Sequence, residues 1–175
     1  SKLKSRNFFF IGPTIGQLAC GEHGEGKMSN INEIELTIKN YFYRNTKLKA
    51  LVTAGPTREY IDPVRYISNE SSGLQGYQLA KKLSESGIQT KLILGPTKIN
   101  IDENIDLVKV TTADEMLEAV NNSLPVDIAI FSAAVADFRS EQKKFKIKKK
   151  DVSELNIKLK HNKDILKIIS THNSL

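Results

Sequence analysis

The 175 residues are enough for one domain with a real core, and 39% hydrophobic with 26% charged content suits a globular protein. No apolar run approaches the roughly 20 residues of a membrane helix and no signal-peptide pattern opens the chain, while a single cysteine excludes an internal disulfide and fits a reducing, cytoplasmic setting. A net charge of +6 reflects either solvated lysines, a polyanionic ligand such as a nucleotide triphosphate, or a nucleic-acid surface, and no RRM, KH or zinc-finger spacing supports the last, so neither nucleic acid nor membrane is expected as a partner.

The first apolar run, Phe8 to Ile11, ends in Gly-Pro-Thr, as do Leu51 to Ala54 and Lys91 to Leu94. Glycine followed by proline punctuates a strand, so the recurrence predicts three strands ending on one edge. Gly16, Gly21, Gly24 and Gly26 surround Cys20 and read as a loop, and Asn30 to Tyr43 as a polar helix before a linker ending near Lys49. One strand and one helix bury no core, so residues 1–48 read as the remnant of a preceding domain, and 49–175 as a second.

In that second region Ser71 or Ser72 is expected to cap a helix with apolar Leu79, Ala80 and Leu83, which Gly87 stops. Strand, helix, strand then makes a right-handed βαβ unit. Leu107 to Val110 predicts a short strand, and Thr112-Ala113-Asp114-Glu115 has capping-box spacing before Met116, Leu117 and Val120. Asp127 to Ala134 reads as a fully buried parallel strand, residues 140–151 as a loop or exposed ribbon, and Asp164 to Ile169 as the start of a last helix. The fold class is α/β: a Rossmann-like open parallel sheet in three α/β/α layers, expected to be incomplete at its carboxyl end.

The polar loop after Gly55 collects Arg58, Arg65, Asn69, Ser71, Ser72 and Gly73 just past a strand end, where open α/β sheets bind ligands. Hydroxyls and glycine before a helix suit phosphate or carboxylate. Asn69 is either a helix cap or a neutral donor to a substrate carbonyl, and Arg58 and Arg65 either pair with phosphate or lie on the surface. Gly73-Leu74-Gln75-Gly76 supplies only the second half of a dinucleotide fingerprint, and no phosphate-loop motif is present. Asp137, after the small residues Ser132-Ala133-Ala134, either caps the strand end or meets a metal or ribose. The lysines from Lys143 to Lys150, with apolar residues between them, read by themselves as a solvated face. Cys20 is either a small buried hydrophobe or a reactive group, and His23, His161 and His172 have no metal or triad spacing.

Several of these stretches together resemble one family. Thr53 to Gly73 is similar to the T-A-G-P-T-R-E, D-P-V-R-Y-I-S-N, S-S-G pattern of the phosphopantothenoylcysteine synthetase domain, the ligase half of a bifunctional coenzyme A biosynthesis flavoprotein. Ala133 to Phe138 resembles its A-A-V-A-D-[YF] motif, Lys146-Ile147-Lys148-Lys149 its K-I-K-K motif, and Asn162-Lys163-Asp164-Ile165 its N-P-D-I turn, with lysine in place of proline. Ala19 to Met28 resembles the A-C-G-[ED]-x-G-x-G-R-M clamp of the family's decarboxylase, with Lys27 for arginine. Leu74-Gln75 departs from the basic residue and methionine usual after the glycine.

The resemblance implies a ligase that joins 4′-phosphopantothenate and L-cysteine through an acyl-nucleotide made from CTP with Mg²⁺, in a homodimer or larger homo-oligomer. It implies catalytic roles for Asn69 and Lys146, and for Cys20 as proton donor in the decarboxylase remnant. It implies nucleotide binding by Ser132, Ala133, Asp137, Lys146, Asn162, Asp164 and Ile165, and substrate binding by Arg58, Arg65, Ser71, Ser72 and Gly73. FMN belongs to the intact decarboxylase domain and is not expected on this chain. The alternatives are a non-catalytic nucleotide-binding fragment or one piece of a split bifunctional enzyme. A dehydrogenase reading lacks both the complete fingerprint and a Tyr-x-x-x-Lys after the Ala-Ala-Val strand.

Overall fold

The computed structural model describes residues 10–17, 21, 23–43, 48–102, 105–148, 150 and 154–171; Cys20, His172 and most of the expected Phe8–Ile11 strand lie outside them. The chain divides into two units, residues 1–46 with 85–87, and residues 47–84 with 88–175. In the first, β1 (Thr14–Gln17) pairs antiparallel with β2 (His23–Lys27), followed by α1 (Ile31–Tyr43). The glycines expected to make a loop instead allow close pairing: Gly16 faces Gly24, and a Cβ on Gly16 would lie 2.6 Å from Lys27 Cδ. Among the described residues, Gly12-Pro13-Thr14 leads into β1.

The second unit runs β3 (Lys49–Ala54), β4 (Arg58–Tyr60), β5 (Tyr66–Ser68), α2 (Leu74–Glu85), β6 (Gln89–Leu94), β7 (Asp106–Lys109), α3 (Ala113–Asn121), β8 (Ile128–Phe131), β9 (Phe138–Ser140), β10 (Leu159–His161) and α4 (Ile165–Ser170). Four strands form a parallel sheet in the order β7-β6-β3-β8. The chain moves outward from β3 to β6 and β7, then returns across the sheet to β8. Crossovers of one hand in opposite directions put their helices on opposite faces.

Alternation along β3 distributes the core. Leu51 and Ile93 pack with Met116, Leu117 and Val120 of α3 and Ile165 and Ile169 of α4. Val52, Ala54, Leu92 and Leu94 pack with Tyr77 and Ala80 of α2. Ala80 and Leu83 face inward on α2 as expected, but Leu79 is exposed and Tyr77 is buried instead, with Gly76 at the close approach to the sheet. β8 is half-buried, not fully buried; among the described residues it pairs only with β3. The loop after Gly55 holds an antiparallel hairpin, β4 with β5, and the 140–151 region is bounded by a ribbon, β9 with β10.

Neither serine is the N-cap of α2. Tyr77 N bonds to Gly73 O at 3.1 Å, which makes Gly73 the cap. Ser71 and Ser72 hydroxyls accept from the N–H groups of Gly73 and Leu74, both at 3.3 Å. Gly73 has φ +75°, and a Cβ there would lie 3.1 Å from the Gly55 main chain, so neither serine nor any other side chain fits at that position. At α3 the expected cap holds: Thr112 accepts from Glu115 N at 3.2 Å. The reciprocal bond lands one residue earlier, from Thr111 N to Glu115 Oε2 at 2.7 Å.

Gly76 gives a direct test of the helix–sheet contact. Its Cβ would stand 2.5 Å from Ala54 Cβ and 3.1 Å from Thr53 O. Alanine gains about 1 kcal/mol in helix propensity, while overpacking costs typically about 1–3 kcal/mol. Gly76→Ala is therefore expected to lower the urea midpoint, whereas an exposed helix glycine would raise it.

Candidate functional site

In a sheet of this order, the first and fourth parallel strands in chain sequence lie side by side, and loops leave them in opposite directions. β3 and β8 are that pair. Beyond Phe131 the chain continues alongside the β3 exit: Ser132 N bonds to Thr53 O at 3.1 Å, Ala134 N to Gly55 O at 2.9 Å, and Thr57 N to Ala134 O at 3.4 Å. Gly55, with φ +76°, lets β3 turn out here.

Three side chains from other loops then bind this extension. The buried Thr57 hydroxyl accepts from Ala136 N at 3.0 Å. Asn69 Nδ2 donates to Val135 O at 2.9 Å. Asn162 Nδ2 donates to Ala136 O at 2.6 Å, and its main-chain N–H to Asp137 O at 2.8 Å. A cavity of about 440 Å³ opens between this extension and the 161–166 turn. Its wall includes Ala133, Asp137, Asn162, Asp164 and Ile165, which are five of the residues expected to hold a nucleotide.

The remaining expected residues lie elsewhere. Ser132 pairs with β3 through its main-chain N–H and, unlike its neighbours Phe131 and Ala133, does not line the cavity. Asn69 is exposed, holds the same segment at Val135 O, and does not line the cavity. Lys146 is exposed and does not line the cavity. Arg58 stacks on Tyr66, its guanidinium carbon 4.5 Å from the ring centroid. Arg65 is engaged by Asp62 and Ile147 O. Ser71, Ser72 and Gly73 build the start of α2. Asp164 is the N-cap of α4, its Oδ1 accepting from Lys167 N at 2.9 Å.

The 162–164 turn has a second anchor. Asp114, in the first turn of α3, pairs with Lys163 Nζ at 3.2 Å and with Arg139. Partial burial pushes its carboxyl up, but the bonds to Lys163 and Arg139 outweigh this and hold it below the ordinary aspartate value. Three organising residues escaped the sequence reading: Thr57; Glu59, buried with Oε1 accepting from Ala113 N at 2.8 Å; and Asp62. The last was legible, since aspartate before proline favours a turn in which its carboxylate takes the next main-chain N–H groups.

Residues 45–174 match the family model of the DNA/pantothenate metabolism flavoprotein C-terminal domain. The chain belongs to this family. It is 41% identical over 169 residues to the coenzyme A biosynthesis bifunctional protein CoaBC of Haemophilus influenzae, covering 94% of this chain and 42% of that protein. It is also 41% identical over 179 residues to CoaBC of Borreliella burgdorferi, covering 99% of this chain and 46% of the relative. The chain thus spans less than half the length of these relatives. Among solved structures it resembles the C-terminal domain of CoaBC, with a TM-score of 0.62 and 36% identity over 75% of this chain and 63% of that one. A Cab2 mutant in complex with phosphopantothenate-cysteine shares the fold, with a TM-score of 0.59 at 17% identity over 82% of this chain and 67% of that one. The family segment holds every expected site residue except Cys20.

No described helix is long and apolar enough to cross a membrane. The described residues contain no cluster of three or more His, Cys, Asp or Glu side chains placed to hold a metal.

Asp62 provides the acid-sensitive element of the site. Burial pushes its carboxyl up, but main-chain bonds from Val64, Arg65 and Ile147 and the charge of Arg65 together outweigh it, so it titrates below the ordinary aspartate value. Its contribution to stability is complete above the unfolded value of about 3.9 and is lost as pH falls through the lower folded value. Urea midpoints of the unsubstituted chain and of Asp62→Asn are expected to differ at neutral pH and to converge on acidification below that unfolded value.

Proposed function

We propose that this chain carries the nucleotide-binding part of a phosphopantothenate–cysteine ligase of coenzyme A biosynthesis. One observation carries the reading: the Ala133–Asp137 segment and the 162–165 turn, both matched by motif to the ligase family, form one wall of a cavity where the strand order reverses. The names of the relatives supply the pathway.

In the proposed reaction the carboxylate of 4′-phosphopantothenate attacks the α-phosphorus of CTP and pyrophosphate leaves. The amine of L-cysteine then attacks the acyl carbon and CMP leaves. Ala133 and its small neighbours admit the nucleotide close to the main chain, where Asn162 and Asp137 fix it. Magnesium held largely by phosphate oxygens needs only one or two protein carboxylates, and Asp137 and Asp164 both line the cavity. When bound it would neutralise triphosphate charge. Lys146 is assigned the charge that develops as the α-phosphorus is attacked. Asn69 uses one amide hydrogen on Val135 O and keeps the other, with its carbonyl, for the acyl group. A neutral donor there stabilises the oxyanion of the second step.

The test is pyrophosphate release from CTP with and without 4′-phosphopantothenate, alongside calorimetric titration of CTP. Lys146→Gln is expected to reduce acyl-nucleotide formation by about 10²–10³-fold, the scale of losing one transition-state charge contact. Asn69→Asp is expected to let the acyl-nucleotide accumulate, because a carboxylate repels the developing oxyanion. Equal loss of both half-reactions in the two variants would overturn the division of roles. CTP binding without pyrophosphate release would favour the reading as a non-catalytic fragment or one piece of a split enzyme. Absence of CTP binding would sink the proposal.

A further inference from the structure

We infer that Asp62 and Arg65 are positioning residues, a clamp that sets the place of the Lys146 ammonium through the main chain of Ile147. The inference rests on the ligase reading for the role of Lys146, but the clamp itself rests on contacts that do not depend on that reading.

The Asp62 side chain is fully buried at the turn of the β4–β5 hairpin, with 0% exposure. Its two oxygens are divided between two tasks. Oδ1 accepts from Val64 N and Arg65 N, both at 2.8 Å, and builds the turn. Oδ2 accepts from Arg65 Nη1 at 2.5 Å and from Ile147 N at 3.1 Å, 85 residues away. Arg65 Nη2 then donates to Ile147 O at 3.2 Å. Both main-chain groups of one residue are thus held by the two members of one ion pair. Two parallel attachments fix the direction of a peptide as well as its distance, as a strand neighbour would.

The held segment has little else to order it. Residues 141–148 form no helix or strand. Lys144, Lys146 and Lys148 are exposed, and Phe145 is 83% exposed. Only Ile147 turns in to half burial. A second tie, Lys143 N to Ile61 O at 2.8 Å, reaches the same hairpin turn. Lys146 therefore stands between two anchors, beside the stronger one. Ordering a backbone residue costs about 1–2 kcal/mol, and a lysine side chain carries about 2 kcal/mol of rotamer entropy. Fixing the backbone before a nucleotide arrives removes the first cost from the binding step. The pair joins a buried carboxylate to a guanidinium that is 41% exposed, and beyond the turn both of its members bond to Ile147.

Arg65→Lys separates the clamp from the turn. It keeps the charge and the Asp62 Oδ1 bonds but loses the planar fork that spans Oδ2 and Ile147 O. The expected result is amide exchange at Ile147 about tenfold faster, as loss of a charge-assisted bond allows, with faster tryptic cleavage between Lys143 and Lys148 and little change in urea midpoint. CTP affinity and pyrophosphate release should fall towards the Lys146→Gln values, and Arg65→Lys should add little to Lys146→Gln, since residues acting through one contact are not additive. Unchanged exchange and cleavage in Arg65→Lys would overturn the clamp, as would fully multiplicative losses in the double variant. Asp62→Asn is the second variant, with the same faster exchange expected. If Lys146→Gln binds CTP and releases pyrophosphate as the unsubstituted chain does, the ligase role of Lys146 fails, and exchange at Ile147 still decides whether the clamp exists.

Discussion

The main chain from Ala134 to Asp137 is the constraint on which the site depends. Ladder bonding ends at the Ala134 bridge to Pro56, so beyond it the segment needs partners from loops, and a buried peptide group without one costs about 1–3 kcal/mol. Three residues take five of its polar groups: Thr57 takes Ala134 O with its main-chain N–H and Ala136 N with its hydroxyl, Asn69 takes Val135 O, and Asn162 takes Ala136 O and Asp137 O. Residues far apart in sequence converge because one short segment needs them as donors and acceptors. The cavity is the space left beside it.

That convergence requires the strand exits to come close, and here the glycines matter. A Cβ on Gly95 would sit 1.8 Å from Pro56 O, a distance no side chain tolerates. A Cβ on Gly55 would meet the Gly95 main chain at 3.2–3.3 Å. With Gly73 packed against Gly55, the ends of β3 and β6 and the start of α2 share a floor with no room for side chains. This close approach lets the hairpin leave β3 at an angle that delivers Thr57 to Ala136 and Asp62 to Ile147. Gly-Pro-Thr therefore means different things at its two positions in this unit: at 55–57 it delivers a buried threonine, and at 95–97 it provides clearance.

The parallel sheet was legible because its signals are local. Apolar runs at 51–54, 91–94 and 107–110, stopped by turn residues, mark strands whatever surrounds them, and Thr112 with Glu115 marks a helix start. The candidate cavity wall was picked out mainly by resemblance, since small residues and one aspartate carry little meaning by themselves. Long-range pairing was not legible. The three-residue strands of the 58–68 hairpin fall below any useful period, and nothing in Lys146-Ile147-Lys148 indicates that Ile147 is held by Asp62. Arg65 reads from sequence as a phosphate ligand because its type suits one; its contacts depend on a carboxylate three residues earlier and a carbonyl 82 residues later. Of the three positions expected to face inward on α2, Ala80 and Leu83 pack on the core and Leu79 is exposed, while Gly76 and Tyr77 complete the buried face.

Lys163 illustrates how a departure from a motif can be absorbed. The N-P-D-I turn of the resembling family has proline there, and proline restrains a turn by fixing φ near −65°. This chain has no such restraint at 163. It has instead an ion pair from Lys163 to Asp114, shared with Arg139, which ties the turn to the first turn of α3 and sets the β9–β10 ribbon beside it. The two devices differ physically. A proline ring acts through local geometry and is indifferent to salt, whereas an exposed ion pair contributes about 0–1 kcal/mol and is screened over about 8–10 Å at ordinary ionic strength. Two cations on one carboxylate also mean that Asp114 holds two elements at once. In this chain the Asn162 bonds to Ala136 O and Asp137 O and the Asp164 cap hold the turn, and the charge on Asp114 adds a small, salt-sensitive tie to α3.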